Sequence, residues 1–198
     1  VTIVIMSRLV YRKGIDLAVD VIPRICAAHP RVRFVIGGDG PKRIALEEMR
    51  EAHELGDRVE LLGAVEHSRV RDVLVRGDIF LNCSLTESFC IAIVEAASCG
   101  LLVVSTAVGG VPEVLPDDMC LLAQPNVDAL EAALNAAHDQ IASSSGSSGG
   151  AGHGGARQKD GMPTVRSAQK TTVPVPPQSI VDNCPERLFG STNNLIRI

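Results

Sequence analysis

Short apolar runs rich in Val, Ile and Leu alternate along residues 1–142 with longer segments of helical period. Such alternation is typical of βαβ units, in which helices connect the parallel strands of one sheet. The apolar runs are continuous rather than alternating, so both faces of each strand are expected to be covered by helices. The pattern therefore predicts an α/β fold with a doubly wound, Rossmann-like parallel sheet.

Strands are predicted at 2–7, 33–36, 59–62, 79–82, 102–105 and 119–122, and helices at 15–28, 41–55, 68–76, 88–99 and 127–142. Pro23 lies inside the first helix, where its ring and missing N–H predict a kink or an early break. From residue 143 the sequence changes to a run of Ser and Gly that cannot bury a core. We therefore predict one domain over residues 1–142 and a disordered tail over residues 143–198. An unstructured extension is favoured for this tail, and a docking segment is the alternative.

Charge and cysteine spacing argue against several functions. Residues 1–142 carry 13 Lys and Arg against 20 Asp and Glu, which argues against nucleic-acid binding through a basic face. The six cysteines form no C-x-x-C pair and the five histidines show no metal-ligand spacing, so no zinc ribbon or dithiol redox motif is predicted. No run reaches the ~20 apolar residues of a membrane span, and the start at Val1 lacks the features of a signal peptide. We expect a domain that does not itself insert into a membrane.

In a doubly wound sheet, ligands bind at the carboxyl ends of the strands. Arg8 follows the first strand and Lys13 comes five residues later, and two cations there suit a diphosphate, with a solvated basic turn as the alternative. The turn Gly37–Pro41 follows the second strand, where glycines either admit a ligand close to the backbone or form a plain tight turn. Arg43 stands where the third glycine of a dinucleotide G-x-G-x-x-G motif belongs, which disfavours a dehydrogenase. Gly109 and Gly110 form a similar glycine-containing loop after the fifth strand, and this signal is weak by itself.

A fourth loop leads into a helical segment that runs from Glu87 to Glu95. Glu95 is the only charged residue between Ser88 and Pro112, and burying a polar group without a partner costs roughly 2 to 7 kcal/mol, so we expect a partner for it. If both glutamates lay on regular helix, they would be about 12 Å apart along the axis and about 80° apart around it. That separation is too large for a glycosidase acid and nucleophile pair but suits two ends of one long ligand. In the alternative interpretation, Glu87 is an ordinary capping acid at the helix N-terminus and Glu95 is a buried structural ion.

Together, the E-x7-E run, the Arg8 and Lys13 pair and the glycine turn resemble the C-terminal, donor-binding domain of retaining GT-B glycosyltransferases. The resemblance is most specific to the branch that transfers N-acetylglucosamine from UDP-GlcNAc to phosphatidylinositol in the first step of GPI-anchor biosynthesis. It covers about residues 1–141, and its characteristic segments are Ser7–Leu17, Leu85–Cys90 and Glu95–Gly100. It implies the C-terminal half of a GT-B fold, facing an acceptor-binding domain that these residues do not include.

The resemblance also implies a role for each matching position. Arg8 and Lys13 would stabilise the UDP leaving group and Glu87 would bind hydroxyls of the transferred sugar, which makes these three the catalytic candidates. Glu95 would accept hydrogen bonds from both ribose hydroxyls. The remaining donor-binding candidates are Gly38, Val65, Phe89, Cys90 and Ile91. The sequence departs from the wider family at one of them, because glycine is common where Cys90 stands.

Transfer with retention of configuration and without a metal or other cofactor is implied by the same resemblance. The implied partners are UDP-GlcNAc, the phosphatidylinositol acceptor and the other subunits of the GPI-GlcNAc transferase complex, and the implied location is the cytoplasmic face of the endoplasmic reticulum membrane. A catalytically incomplete chain that acts as an interaction module is the alternative, because the acceptor domain is absent from these residues.

Overall fold

The computed structural model describes residues 1–145, and the rest of the predicted tail lies outside them. The strands are β1 (Thr2–Met6), β2 (Arg33–Gly37), β3 (Val59–Gly63), β4 (Ile79–Asn82), β5 (Leu102–Thr106) and β6 (Cys120–Ala123). The helices are α1 (Ile15–Ala28), α2 (Arg43–Ala52), α3 (Val70–Leu74), α4 (Ile91–Ser98) and α5 (Val127–Ser145). Short 3-10 turns occur at Tyr11–Lys13, His67–Arg69 and Val111–Glu113.

The described strands form one parallel sheet in the order β3-β2-β1-β4-β5-β6. The chain moves outward from β1 to β3 and then returns to place β4 on the other side of β1. Ile3 of β1 is therefore paired with Phe34 on one side and Ile79 on the other. This order is that of the Rossmann fold, and it confirms the predicted doubly wound sheet. The topological switch point lies between β1 and β4.

Each face of the sheet has its own apolar core. Ile3 and Ile5 of β1 point into a core shared with α1, α2 and α5, whereas Val4 and Met6 point into a core shared with α3 and α4. Successive side chains of a strand point to opposite faces, so a continuous apolar run is required to fill both cores. Burial of each such side chain contributes about 1.5 to 3 kcal/mol. The two cores fix the strand ends from which the ligand-side loops start.

Several element boundaries differ from the predicted ones. Helix α1 keeps its predicted bounds, Ile15–Ala28, but does not break early at Pro23, because Ile22 and Ile25, on either side of the proline, are both buried in the core. The predicted third helix is a 3-10 turn followed by the short α3, and α2 is shorter than predicted at both ends. Helix α5 continues to Ser145, past the predicted domain boundary at residue 142.

None of the helices found in residues 1–145 is both long enough and apolar enough to cross a membrane.

Candidate donor-binding site

The switch point of the sheet is bridged by an ion pair between two loops. Lys13 lies in the loop after β1, Glu87 lies in the loop after β4, and Lys13 Nζ is 2.5 Å from Glu87 Oε2. Their side chains are only 19% and 17% exposed. In an open α/β sheet the crevice at this position is the general ligand site. The structure thus brings together two of the residues that the sequence singled out, at the place where the fold predicts a ligand.

Backbone contacts lock these two loops together. The Leu85 N–H donates to the Arg12 carbonyl at 2.9 Å. Gly14 has φ +65°, and a Cβ built on it would lie 1.8 Å from the Cys83 carbonyl oxygen. Only glycine fits a backbone approach this close in the left-handed region. The loops that bear Lys13 and Glu87 are therefore held together by backbone contacts as well as by the ion pair.

The glycine turn after β2 ties the neighbouring loops together in the same way. Gly38 donates its N–H to the Gly63 carbonyl at 2.7 Å, and with φ +130° a Cβ on it would lie 1.8 Å from the Ser7 carbonyl oxygen. Leu9 N–H in turn donates to the Asp39 carbonyl at 2.9 Å. Gly38 is thus needed for packing, because the backbone of the loop after β1 approaches it closely. The sequence did not show whether a ligand or another part of the chain would make this approach. Its predicted role in donor binding stays a prediction.

The loop after β5 supports Glu87 from its other side. Gly110 N–H donates to the Glu87 carbonyl at 3.2 Å. Gly109 has φ +55°, and a Cβ on it would lie 1.8 Å from that same oxygen. The weak Gly109–Gly110 signal in the sequence therefore marks the close packing of this turn against the backbone of Glu87.

The Glu87 carboxylate is held in its ionised form. Burial raises the pKa of Glu87, but the hydrogen bond and the positive charge of Lys13 outweigh burial, and the pKa lies below its usual value. The Ser88 backbone and the Ser84 hydroxyl, whose Oγ is 3.4 Å from Oε2, lower the pKa further. At neutral pH this site therefore carries a fixed pair of opposite charges.

Glu95 lies in a different environment, inside α4 and half-buried. Burial raises the pKa of Glu95 above its usual value, and the nearby His67 opposes this only in part. No hydrogen bond reaches the Glu95 carboxylate from within residues 1–145. A partly buried carboxylate in this state favours a ligand that can donate hydrogen bonds to it.

Helix α4 begins at Ile91, not at Ser88 as predicted. Cys90 precedes the helix with φ 61° and ψ 77°, in the left-handed region, and this conformation interrupts the helix. Glu87 therefore lies in the loop, and the helical spacing predicted between Glu87 and Glu95 does not apply. The conformation also explains why glycine is expected at position 90, since a residue with a side chain is strained there.

The other predicted residues surround this centre. Arg8 is exposed, and its side chain forms no ion pair or hydrogen bond with any residue in the described range 1–145. Phe89 and Ile91 are also exposed, at 54% and 66%. Val65, in the loop after β3, and Cys90 both pack against the core under α4. Arg8, Phe89 and Ile91 thus remain accessible to a ligand, whereas Val65 and Cys90 are partly covered.

A buried polar network beneath Glu87 was not predicted from the sequence. It is formed by Asn82, Ser84, Ser105 and Thr106, which are 0–6% exposed. They stand at or just beyond the carboxyl ends of β4 and β5. Polar residues that end two otherwise apolar strands are the sequence signal that could have identified them.

Residues 1–145 contain no group of three or more His, Cys, Asp or Glu side chains arranged to hold a metal ion.

Comparison with known proteins relates this sequence to sugar-transferring enzymes. Residues 1–141 match the family of glycosyl transferases group 1. The chain is 70% identical over 137 residues to a phosphatidylinositol N-acetylglucosaminyltransferase subunit of Arabidopsis thaliana, covering 69% of this chain and 31% of the relative. It is 62% identical over 143 residues to the corresponding subunit of Homo sapiens, covering 72% and 30%. The chain thus spans about a third of the length of these curated relatives.

Solved structures agree on the fold. Sucrose-phosphate synthase from Thermosynechococcus elongatus matches with a TM-score of 0.62 and 27% identity, over 71% of this chain and 37% of that one. Anabaena HepE in complex with UDP matches with a TM-score of 0.63 and 24% identity, over 71% and 39%. The predicted Rossmann-like sheet is the architecture these proteins share.

Proposed function

The chain belongs to the group 1 glycosyl transferases, and on that premise we propose that it is the donor-binding half of an enzyme transferring N-acetylglucosamine from UDP-GlcNAc to phosphatidylinositol. That transfer is the first step of GPI-anchor biosynthesis. The observation that carries the proposal is the Lys13–Glu87 ion pair across the switch point, in a chain 62–70% identical to subunits of phosphatidylinositol N-acetylglucosaminyltransferase from two organisms.

In the proposed mechanism, the donor separates the two charges. Lys13 turns to the diphosphate, where Arg8 meets it from the exposed side of the same loop. Glu87 accepts hydrogen bonds from hydroxyls of the sugar. As the bond between the sugar and the diphosphate breaks, negative charge grows on the leaving group, and the two cations stabilise that charge most at the transition state.

Glu95 is proposed to bind the ribose. Its carboxylate has a raised pKa caused by burial and receives no hydrogen bond from residues 1–145. The two ribose hydroxyls would supply two donors and so favour the ionised form. We expect UDP binding to lower the pKa of Glu95 and to release part of any proton it carries. Backbone groups of the Phe89–Ile91 segment and the loop of Val65 would complete the site at the sugar or diphosphate and at the uracil.

The remaining features of the proposal concern the whole enzyme. We propose transfer with retention of configuration and without a metal, because Arg8 and Lys13 can supply the positive charge that a divalent ion supplies elsewhere. The acceptor side of the cleft, the contacts to other subunits of the transferase complex and the location at the endoplasmic reticulum membrane belong to the rest of such an enzyme.

Calorimetric titration of the 198-residue chain with UDP tests the proposal. Saturable binding is expected, and Glu95→Ala is expected to weaken it about tenfold or more by removing a charged hydrogen-bond acceptor. Glu131→Ala is the matched control, because it also removes one carboxylate, but from α5, where Glu131 pairs with Arg24. The proposal fails if the folded chain shows no saturable binding, or if Glu95→Ala and Glu131→Ala bind UDP equally well.

A further inference from the structure

The four polar side chains beneath Glu87 form one connected set of hydrogen bonds. Asn82 Nδ2 donates to Ser105 Oγ at 2.9 Å, and Ser84 Oγ donates to Asn82 Oδ1 at 2.9 Å. Thr106 Oγ1 donates to the Ser84 carbonyl at 2.5 Å. The ends of β4 and β5 are thereby tied to the start of the loop that carries Glu87.

Ser84 is the member of this set that contacts the candidate site. Its side chain is fully buried, and its hydroxyl lies between Asn82 Oδ1 and Glu87 Oε2. Lys13 Nζ contacts the same Glu87 oxygen. Both side-chain contacts to Glu87 thus reach Oε2, so that neither of them engages Oε1.

We propose that Ser84 is a positioning residue for Glu87, which orients the carboxylate toward the donor sugar after Lys13 has left it. The inference depends on the proposed function, because in the donor complex Lys13 contacts the diphosphate. Once the ion pair is broken, the Ser84 hydroxyl is the side-chain donor within reach of Oε2. Its single proton then turns from Asn82 Oδ1, at 2.9 Å, to Glu87 Oε2, at 3.4 Å. The backbone of Ser84 is held by Thr106, whose hydroxyl donates to the Ser84 carbonyl.

A purely structural role is the competing explanation, since buried polar groups must be hydrogen-bonded wherever they occur. The two explanations differ in what they predict for binding. A structural role predicts that loss of the Ser84 hydroxyl weakens UDP and UDP-GlcNAc binding alike. A positioning role predicts a larger loss for UDP-GlcNAc than for UDP, because only the sugar contacts Glu87, whereas the exchange of Lys13 is common to both ligands.

The test titrates the 198-residue chain with UDP and with UDP-GlcNAc, as wild type, Ser84→Ala, Glu87→Ala and the double variant. We expect Ser84→Ala to weaken UDP-GlcNAc binding about fivefold more than UDP binding, the size of one hydrogen bond. In the Glu87→Ala background, Ser84→Ala is expected to change neither affinity, because a residue that acts through Glu87 has no effect without it.

Equal losses for both ligands, or an additive effect in the Glu87→Ala background, would overturn the inference. A wild-type chain that binds UDP but gains no affinity from the sugar would overturn it too, while leaving the donor-binding function intact. A folded chain that binds neither ligand would overturn both.

Thr106 provides a second route if Ser84→Ala does not fold. Thr106→Val keeps the shape of the side chain but removes the hydroxyl that holds the Ser84 carbonyl, whereas Thr106→Ser keeps that hydroxyl. We expect the selective loss of sugar affinity in Thr106→Val and not in Thr106→Ser. Identical UDP-GlcNAc affinities in the two variants would contradict the positioning role.

Discussion

Glu87 and Glu95 belong to the same E-x7-E run but lie in opposite electrostatic environments. Glu87, in the loop before α4, is partly buried beside a cation, and its pKa lies below the usual value. Glu95, inside α4, is partly buried near His67, and burial raises its pKa above the usual value. The decisive difference is the presence of Lys13, because burial raises the pKa of both groups.

This difference indicates how each carboxylate is prepared for a ligand. Glu87 is ionised and its Oε2 is already paired with Lys13, so in the proposed mechanism the donor draws Lys13 away from it. Glu95 lacks a hydrogen-bond donor from residues 1–145, so a ligand with hydroxyl groups adds contacts without displacing any protein donor. Under the proposed function, the first region would give selectivity for a ligand that carries both an anion and hydroxyls, and the second would give affinity.

The largest effect on stability is expected from disturbing the turn that packs against the backbone of Glu87. Gly109→Ala would place a Cβ 1.8 Å from the Glu87 carbonyl oxygen at φ +55°, so the loop must shift and the free energy of unfolding should fall by more than about 3 kcal/mol. Gly56→Ala is the control, because a Cβ there meets nothing within 4 Å. Urea unfolding of both variants measures the difference. Similar stabilities would show that the loop around Glu87 is not held by this contact.

The next effect comes from removing Lys13 and keeping the loop intact. Lys13→Met should raise the pKa of Glu87, because burial then acts without an opposing charge, and should lower the free energy of unfolding by about 1 to 3 kcal/mol. Glu87→Gln in the same background should recover part of that loss. NMR titration of the Glu87 carboxyl and urea unfolding check both expectations. An unchanged pKa of Glu87 in Lys13→Met would contradict the assignment of the ion pair as its cause.

Glu87 and Glu95 should contribute to the pH dependence of stability with opposite signs. The folded pKa of Glu87 is lowered, so its contribution is present above the ordinary value of 4.5 and is lost as pH falls through the folded pKa. The folded pKa of Glu95 is raised, so its contribution has the opposite sign: it is present below 4.5 and is lost as pH rises through the folded pKa.

Glu95→Gln is therefore expected to stabilise the chain near pH 7, by on the order of 0.5 kcal/mol, and to lose that advantage below pH 4.5. Glu87→Gln should destabilise the chain near pH 7. Urea unfolding at a series of pH values measures both variants. The comparison between the two regions breaks down if the two substitutions change stability in the same direction at neutral pH.

The sequence predicted the fold better than the details of the site. Alternation of apolar runs and helical segments is set by the two cores, so the strand positions and the parallel sheet followed from it. The start of α4 did not follow, because the left-handed backbone at Cys90 is imposed by packing around the loop and has no signature in a residue that is not glycine. The network of Ser84 and Thr106 was missed for a similar reason, since short polar residues at strand ends are usually exposed.

The last prediction concerns the boundary between the two regions, at Cys90. Its backbone has φ 61°, which costs a residue with a Cβ about 1 to 2 kcal/mol relative to glycine. Cys90→Ala and Cys90→Gly both remove the sulfur, which packs against the core beside Val65, but only Cys90→Gly removes the backbone strain. We expect Cys90→Gly to be more stable than Cys90→Ala by about 1 kcal/mol, the reverse of the order that a helical position would give. Thermal or urea unfolding of the two variants measures this difference. If Cys90→Ala were the more stable variant, α4 would have to begin before Cys90, as in the predicted helix that starts at Ser88.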